Sequence, residues 1–213
     1  SNIVIQSTVN GFGVDTVAAW TVCGKVDRMY WLIINALGVA VSTFSRQNFG
    51  ARKYDRVLRS IGVSAALGTA LSLFFGAVFV TGAMGMALAA GLATPALIAL
   101  FTDDPAVISI GMEIIWLIAP WYFAYVPIGA LASGMRGTGD SFVPTAMTAL
   151  GICGFRLLWI WGVVPFDHSV RTVFIGYPVS WALTSAFFLL YHWKGNWMRR
   201  SILRAGHKTV RRG

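Results

Sequence analysis

Lys25, Asp27, Arg28, Glu113 and Arg156 each stand inside a stretch of otherwise apolar residues. An ionisable group inside a membrane span costs about 2.5–3.5 kcal/mol on insertion scales, so it faces protein or water and commonly serves function. Three bases and two acids can pair with one another, hold a charged ligand, or bind and release a proton or cation. At 1.5 Å per residue from the outer end of each helix, Lys25, Asp27 and Arg28 fall at roughly 12–17 Å, Glu113 at about 9 Å and Arg156 at about 12 Å. All five are expected in one layer of the outer half, with one positive charge in excess. A carboxylate from outside the chain, or an anionic substrate, would complete that layer. Asp27 has two readings. It pairs with Arg28 or Arg156 in one state and is freed or protonated in another, or it belongs to a structural salt-bridge network.

The helix that carries Lys25 adds a second pattern. Thr21, Arg28, Asn35 and Ser42 recur every seven residues, a spacing that drifts only about 20° per step on a 3.6-residue helix. Trp31 and Lys25 border this stripe on either side. One reading is a helix lining a polar pathway, with Trp20, Met29, Tyr30 and Trp31 as adaptable apolar contacts. The other is a helix packing seam.

The elements that would position these groups are membrane helices. Apolar residues make up 56% of the 213 and charged residues 12%, against roughly 25% charged in a soluble domain. Six apolar segments stand out: Asn2–Phe12, Val17–Ser45, Val57–Leu92, Val107–Ala132, Phe142–Val164 and Arg171–Trp193. A span needs about 20 residues, so the first is too short and reads as the end of a truncated helix. The third is ambiguous, because two short spans with a turn at Thr81–Gly85 would also fit. Basic residues decide it. With one span, Arg46–Arg59, Arg136 and the tail from Lys194 to Arg212 share one side, which then holds 13 basic residues, while the other holds Arg171. By the positive-inside rule that side is cytoplasmic, and so is the C-terminus. A single span is therefore expected, followed by a surface piece around Ala93–Phe101. Pro120 and Pro127 lie on nearly one face of the same helix and should bend it.

The net charge of +9 does not indicate nucleic acid, since the bases sit at the ends of apolar stretches. Arg199–Arg212 instead offers a surface for anionic lipid headgroups. Residues 1–193 read as one transmembrane unit and 194–213 as a basic cytoplasmic tail. Cys23 and Cys153 fall inside apolar runs and read as small buried hydrophobes. No metal-ligand spacing is present, His168, His192 and His207 are scattered, and no nucleophile has a base at a useful offset, so neither a metal site nor an enzyme is expected. Arg136-Gly-Thr-Gly-Asp140 reads as a tight turn and Gln47–Gly50 as a helix-end cap. The chain starts at Ser1 within an apolar stretch and without a secretory signal, which points to a fragment.

Three runs carry a resemblance. GVAVSTFSRQNFGARKYDR (38–56) resembles the end of the eighth helix and the following loop of the multidrug and toxic compound extrusion (MATE) family. LFTDDPAVI (100–108) is similar to that family's loop before the tenth helix, and GMRGTGDSFVP (134–144) to the start of its eleventh. The order and spacing agree over nearly the whole chain. The resemblance implies an all-α polytopic membrane bundle: the second lobe, helices seven to twelve with the first truncated, of a two-lobe transporter. The partner would be an N-terminal lobe, with which this one encloses a cavity that alternates between the membrane faces. The implied activity is antiport in the bacterial cytoplasmic membrane. A cationic or amphiphilic small molecule would leave in exchange for Na⁺ or H⁺, with no other cofactor. Sodium-coupled members use carboxylates on helices seven and ten. Here the first segment has Gln6 and Asn10 but no acid, and the tenth-helix counterpart has Glu113 near its outer end with Tyr122 and Tyr125 deeper, so that cation site does not carry over. The candidate residues are thus Thr21, Lys25, Arg28, Trp31, Asn35 and Tyr122 for the cavity, and Asp27, Arg28, Glu113 and Arg156 for the charge network. A lipid-linked headgroup flippase of the same superfamily and a non-transporting membrane scaffold are the alternatives.

Overall fold

The computed structural model describes residues 2–89, 96–167, 169–194 and 196–206, with backbone alone for 2, 81–89 and 96–97. His168, His207, Lys208, Arg211, Arg212 and the path through residues 90–95 lie outside the described residues. The described residues are helices and short turns. A stub, α1 (Asn2–Asn10), turns through Gly13, whose φ of 103° only glycine adopts freely, into α2 (Val14–Gly50). Nothing between Val14 and Gly50 breaks the backbone ladder, so α2 runs 37 residues, about 55 Å. It ends where Arg52 takes a left-handed conformation and the Lys53 amide closes back on the Asn48 carbonyl at 2.8 Å.

The next helix, α3 (Tyr54–Ala89), is continuous through Thr81–Gly85, as one span requires. The piece after it differs from a surface segment. The short α4 (Ala96–Ala99) pushes Ile98, fully buried, against Gly111, while Leu100 and Phe101 stay exposed. Asp104 caps α5 (Pro105–Ile118) by accepting from the Ala106 amide at 2.9 Å. Pro120 then tightens the chain into a 3₁₀ stretch, Ala119–Tyr125, before α6 (Val126–Gly137), which has Pro127 in its first turn. The expected bend is thus a change of winding, since each proline removes an amide donor from the α ladder. Helix α3 reaches the loosened stretch, because Gly76 brings its backbone close to the Ala119 carbonyl.

The following span is α7 (Phe142–Thr148) and α8 (Phe155–Gly162), joined by a π turn at Ala149–Gly154. That turn seats Gly151 against Thr184 of α9 (Val170–Lys194). Trp159 lies over Gly176 and donates to the Thr172 carbonyl at 2.8 Å. Helix α2 is central and packs on α3, α5 and α6, while α9 packs on α5, α6 and the 3₁₀ stretch. Small residues permit these approaches. A Cβ on Gly137 would lie 2.6 Å from the Ser42 carbonyl oxygen.

Four of the five expected spans are long and apolar enough to cross a membrane: Tyr54–Val80, Pro105–Gly137, Phe142–Gly162 and Val170–Lys194. Helix α2 has the length but not the apolarity, because Lys25, Asp27 and Arg28 fall within one turn and Asn35 follows. The basic segment after Lys194 has structure of its own. It starts with α10 (Trp197–Arg204), which buries Trp197, Ser201 and Ile202. Thr138 donates to Ser201 at 3.3 Å, and Arg204 pairs with the buried Asp140 at 3.4 Å. The Arg136–Asp140 turn is therefore the dock for this helix as well as a turn.

Candidate functional site

On α2, Trp20, Asp27 and Trp31 fall within about 40° of one another at 100° per residue, and all three are half-buried. This face meets an aromatic wall. The Tyr30 ring stacks on Tyr122 at 4.2 Å between centroids. Trp31 stands edge-on to Tyr125 at 4.8 Å and to Trp181 at 5.9 Å, and Trp20 packs on Phe174 at 4.8 Å and on Tyr177 at 5.7 Å. The rings come from α2, the 3₁₀ stretch and α9. The winding change at Pro120 turns Tyr122 and Tyr125 toward α2, and the 174, 177, 181 spacing puts three rings on one face of α9.

Asp27 and Arg156 enter this wall separately. The Tyr122 hydroxyl donates to Asp27 Oδ1. Arg156, 7% exposed, lays its guanidinium 3.8 Å above the centre of the Tyr177 ring and donates through Nε to Ser180 at 3.2 Å. Ion pairs among the described residues are Arg171–Glu113 and Arg204–Asp140, so Asp27 pairs here with neither Arg28 nor Arg156. The physical reason is that α9 offers Arg156 a π face and a hydroxyl, and a cation over an aromatic face is stabilised without a carboxylate.

The five charges do not meet in one network among the described residues. Glu113 bonds to Arg171 at the start of α9, where both side chains reach solvent. Lys25 is exposed and holds its ammonium 5.4 Å from the Phe101 ring centre. Thr21, Arg28 and Asn35 are exposed on the flank of α2 beside the Trp20–Asp27–Trp31 face, with Thr21 returning its hydroxyl to the Val17 carbonyl. Tyr122 is 1% exposed. It supports Asp27 from behind. Cys23 is buried with its thiol on the Gly111 carbonyl at 3.3 Å, and Cys153 is a half-buried free thiol.

Sequence reasoning missed Tyr177, Ser180 and Trp181. The available signal was Phe174, Tyr177 and Trp181 at helical spacing in an apolar helix, which reads as ordinary core until Arg156 is placed against it. The arrangement presents one carboxylate at the edge of an aromatic surface, flanked by the polar stripe of Thr21, Arg28 and Asn35. Such a surface can take up a flat or amphiphilic cation by ring contact and charge, and can exchange a small cation or proton at the carboxylate.

The MatE family model matches residues 1–161. A probable multidrug resistance protein of Bacillus subtilis, YoeA, is 23% identical over 206 residues, which is 96% of this chain and 42% of that protein. Among solved structures, the Vibrio cholerae MATE transporter VcmN in its bent form superposes with a TM-score of 0.78 at 18% identity, over 95% of this chain and 43% of that one. A MOP superfamily transporter from Pyrococcus furiosus, described as having a binding pocket of reverse polarity that suggests a different function, superposes with a TM-score of 0.72 at 17% identity. It covers 91% of this chain and 40% of its own. The chain thus spans less than half the length of these relatives. With the family model matched over most of its length and the transporter fold reproduced, the chain belongs to the MatE family.

Proposed function

We propose that this chain forms the second lobe of a secondary antiporter that exports drugs or other amphiphilic compounds from a bacterial cell in exchange for Na⁺ or H⁺. Its basic end, with the C-terminus, faces the cytoplasm, and a first lobe completes the cavity. Asp27 is the coupling carboxylate, Trp20, Trp31 and Tyr125 are the compound-contacting surface, and Arg28 tunes the charge beside it. The observation that carries this reading is the half-buried Asp27 set in an aromatic wall, bonded to Tyr122 and free of any basic partner among the described residues. A carboxylate so placed is open to exchange between a cation and a proton, which a tight ion pair would prevent. The relative named as a probable multidrug resistance protein supports a compound of that class.

The test is efflux of a fluorescent cationic dye by the full-length protein in a pump-deficient strain, at graded external pH and Na⁺. Asp27→Asn should abolish uphill export while leaving the amount of protein in the membrane unchanged, and Arg28→Ala should shift the compound preference. Export by Asp27→Asn with unaltered dependence on pH and Na⁺ would refute the coupling role.

A further inference from the structure

At the basic end of the lobe a cleft of about 1190 Å³ opens between the start of α3 and the junction of α9 with α10. Arg52, Lys53, Arg56, Arg59 and Arg199 line it, against the single acid Asp55. Two helix beginnings also converge there, Tyr54–Arg56 of α3 and Trp197–Arg199 of α10. The residue before α10, Asn196, makes no side-chain cap, so the first amides of that helix are left for another acceptor. A helix beginning carries partial positive charge, which favours phosphate oxygens. Among the described residues, the non-glycine positions with left-handed backbone, Arg52 and Asn196, both line this cleft. At Arg52 this conformation closes the end of α2, and at Asn196 it turns the chain from α9 into α10.

We infer that this cleft binds the phosphate headgroup of an anionic phospholipid. Its position selects lipid over a soluble anion. Helix α3, which is apolar and long enough to cross a membrane, begins at Tyr54, and α9, which is equally so, finishes at Lys194, so the cleft lies at the shared end of two spans, where headgroups would meet them. Trp193, 87% exposed at its rim, has the amphipathic ring that favours that level. The floor is firm, because Trp197 is buried and donates to His192 Nδ1 at 2.8 Å, which leaves the other imidazole nitrogen for the cleft. The charge is concentrated on exposed side chains and none of the five bases is in an ion pair among the described residues. A headgroup phosphate would bridge α3 and α10, tying the end of the bundle to the bilayer.

The test is a titration of phosphatidylglycerol and phosphatidylcholine into the full-length protein in nonionic detergent, with bound lipid counted by native mass spectrometry. Phosphatidylglycerol should bind preferentially, and the preference should weaken with salt. Each neutralised base is expected to lower the affinity roughly fivefold, so Arg56→Gln, Arg59→Gln and Arg199→Gln together should cost on the order of a hundredfold. Arg46→Gln, at the same end but outside the cleft, should change nothing. Retention of the preference in the triple variant overturns the inference. So does glycerol phosphate binding as tightly as the phospholipid, since that would make the cleft a soluble-anion site. Circular dichroism of the triple variant matching the parent confirms that a lost preference reports the cleft and not the fold.

Discussion

Arg156 is a buried cation held by an aromatic face and a hydroxyl, and that makes its energetics measurable. Its guanidinium lies 3.8 Å from the Tyr177 ring centre and 6.0 Å from that of Trp181. A desolvated cation–π contact is worth about 2 kcal/mol. Tyr177→Leu removes the face, but it also loses packing against Trp20 and Phe174, so its raw cost mixes the two. A double-mutant cycle with Arg156→Met separates them, because packing lost in both backgrounds cancels. The expected coupling is about 2 kcal/mol, near thirtyfold in the folding equilibrium. The assay is reversible unfolding of the full-length protein in mixed micelles of mild detergent and dodecyl sulfate. Tyr177→Phe keeps the face, so it should fall within about 0.5 kcal/mol of the parent. A coupling below about 0.5 kcal/mol, or a Tyr177→Phe variant as damaged as Tyr177→Leu, would refute the claim that the ring stands in for a carboxylate.

Two further outcomes follow from packing and exposure. Gly137→Ala should destabilise by about 1–3 kcal/mol, because its methyl meets the Ser42 carbonyl and the Ser45 side chain of α2 at under 3 Å; Gly24→Ala, with nothing within 4 Å, should raise the melting temperature slightly, and equal melting of the two variants would contradict the close helix approach. Glu113→Gln should leave both melting and dye export unchanged, since its partner Arg171 is exposed; loss of export would return Glu113 to the transport machinery.

The spans were legible because lipid demands long apolar helices, and the single run through Thr81–Gly85 followed from charge placement alone. The prolines announced irregular winding but not its form, since 3₁₀ tightening at Ala119–Tyr125 depends on what α2 and α3 pack against it. The site was half legible. Asp27, Trp31 and Arg156 could be named from charge and spacing, yet their partners depend on how the helices rotate about their axes. An expected equal depth for five charges on three helices says nothing about azimuth, and azimuth separates Glu113, turned to Arg171, from Arg156, turned to Tyr177. Likewise the arginines after Lys194 dominate that segment's composition and hide Trp197, Ser201 and Ile202, which give α10 its buried side.

Helix α2 shows why this lobe calls for a polar neighbour. Turned wholly to lipid, Lys25, Asp27 and Arg28 would cost on the order of 8–10 kcal/mol, comparable with the entire stability of a domain. The lobe covers only one side of α2, the one with Cys23, Val26, Tyr30, Ile34 and Val41. Thr21, Lys25, Arg28 and Asn35 are left on the open side, while Trp20, Asp27 and Trp31 stand at the boundary between the two. Water in a pathway or the surface of a second lobe would solvate these groups, and lipid would not. The same logic explains why α2 alone among the long helices from α2 to α9 fails the test of apolarity that its length would pass. The carboxylate and rings that could serve exchange lie along that boundary, where a compound arriving from the polar side would meet them first.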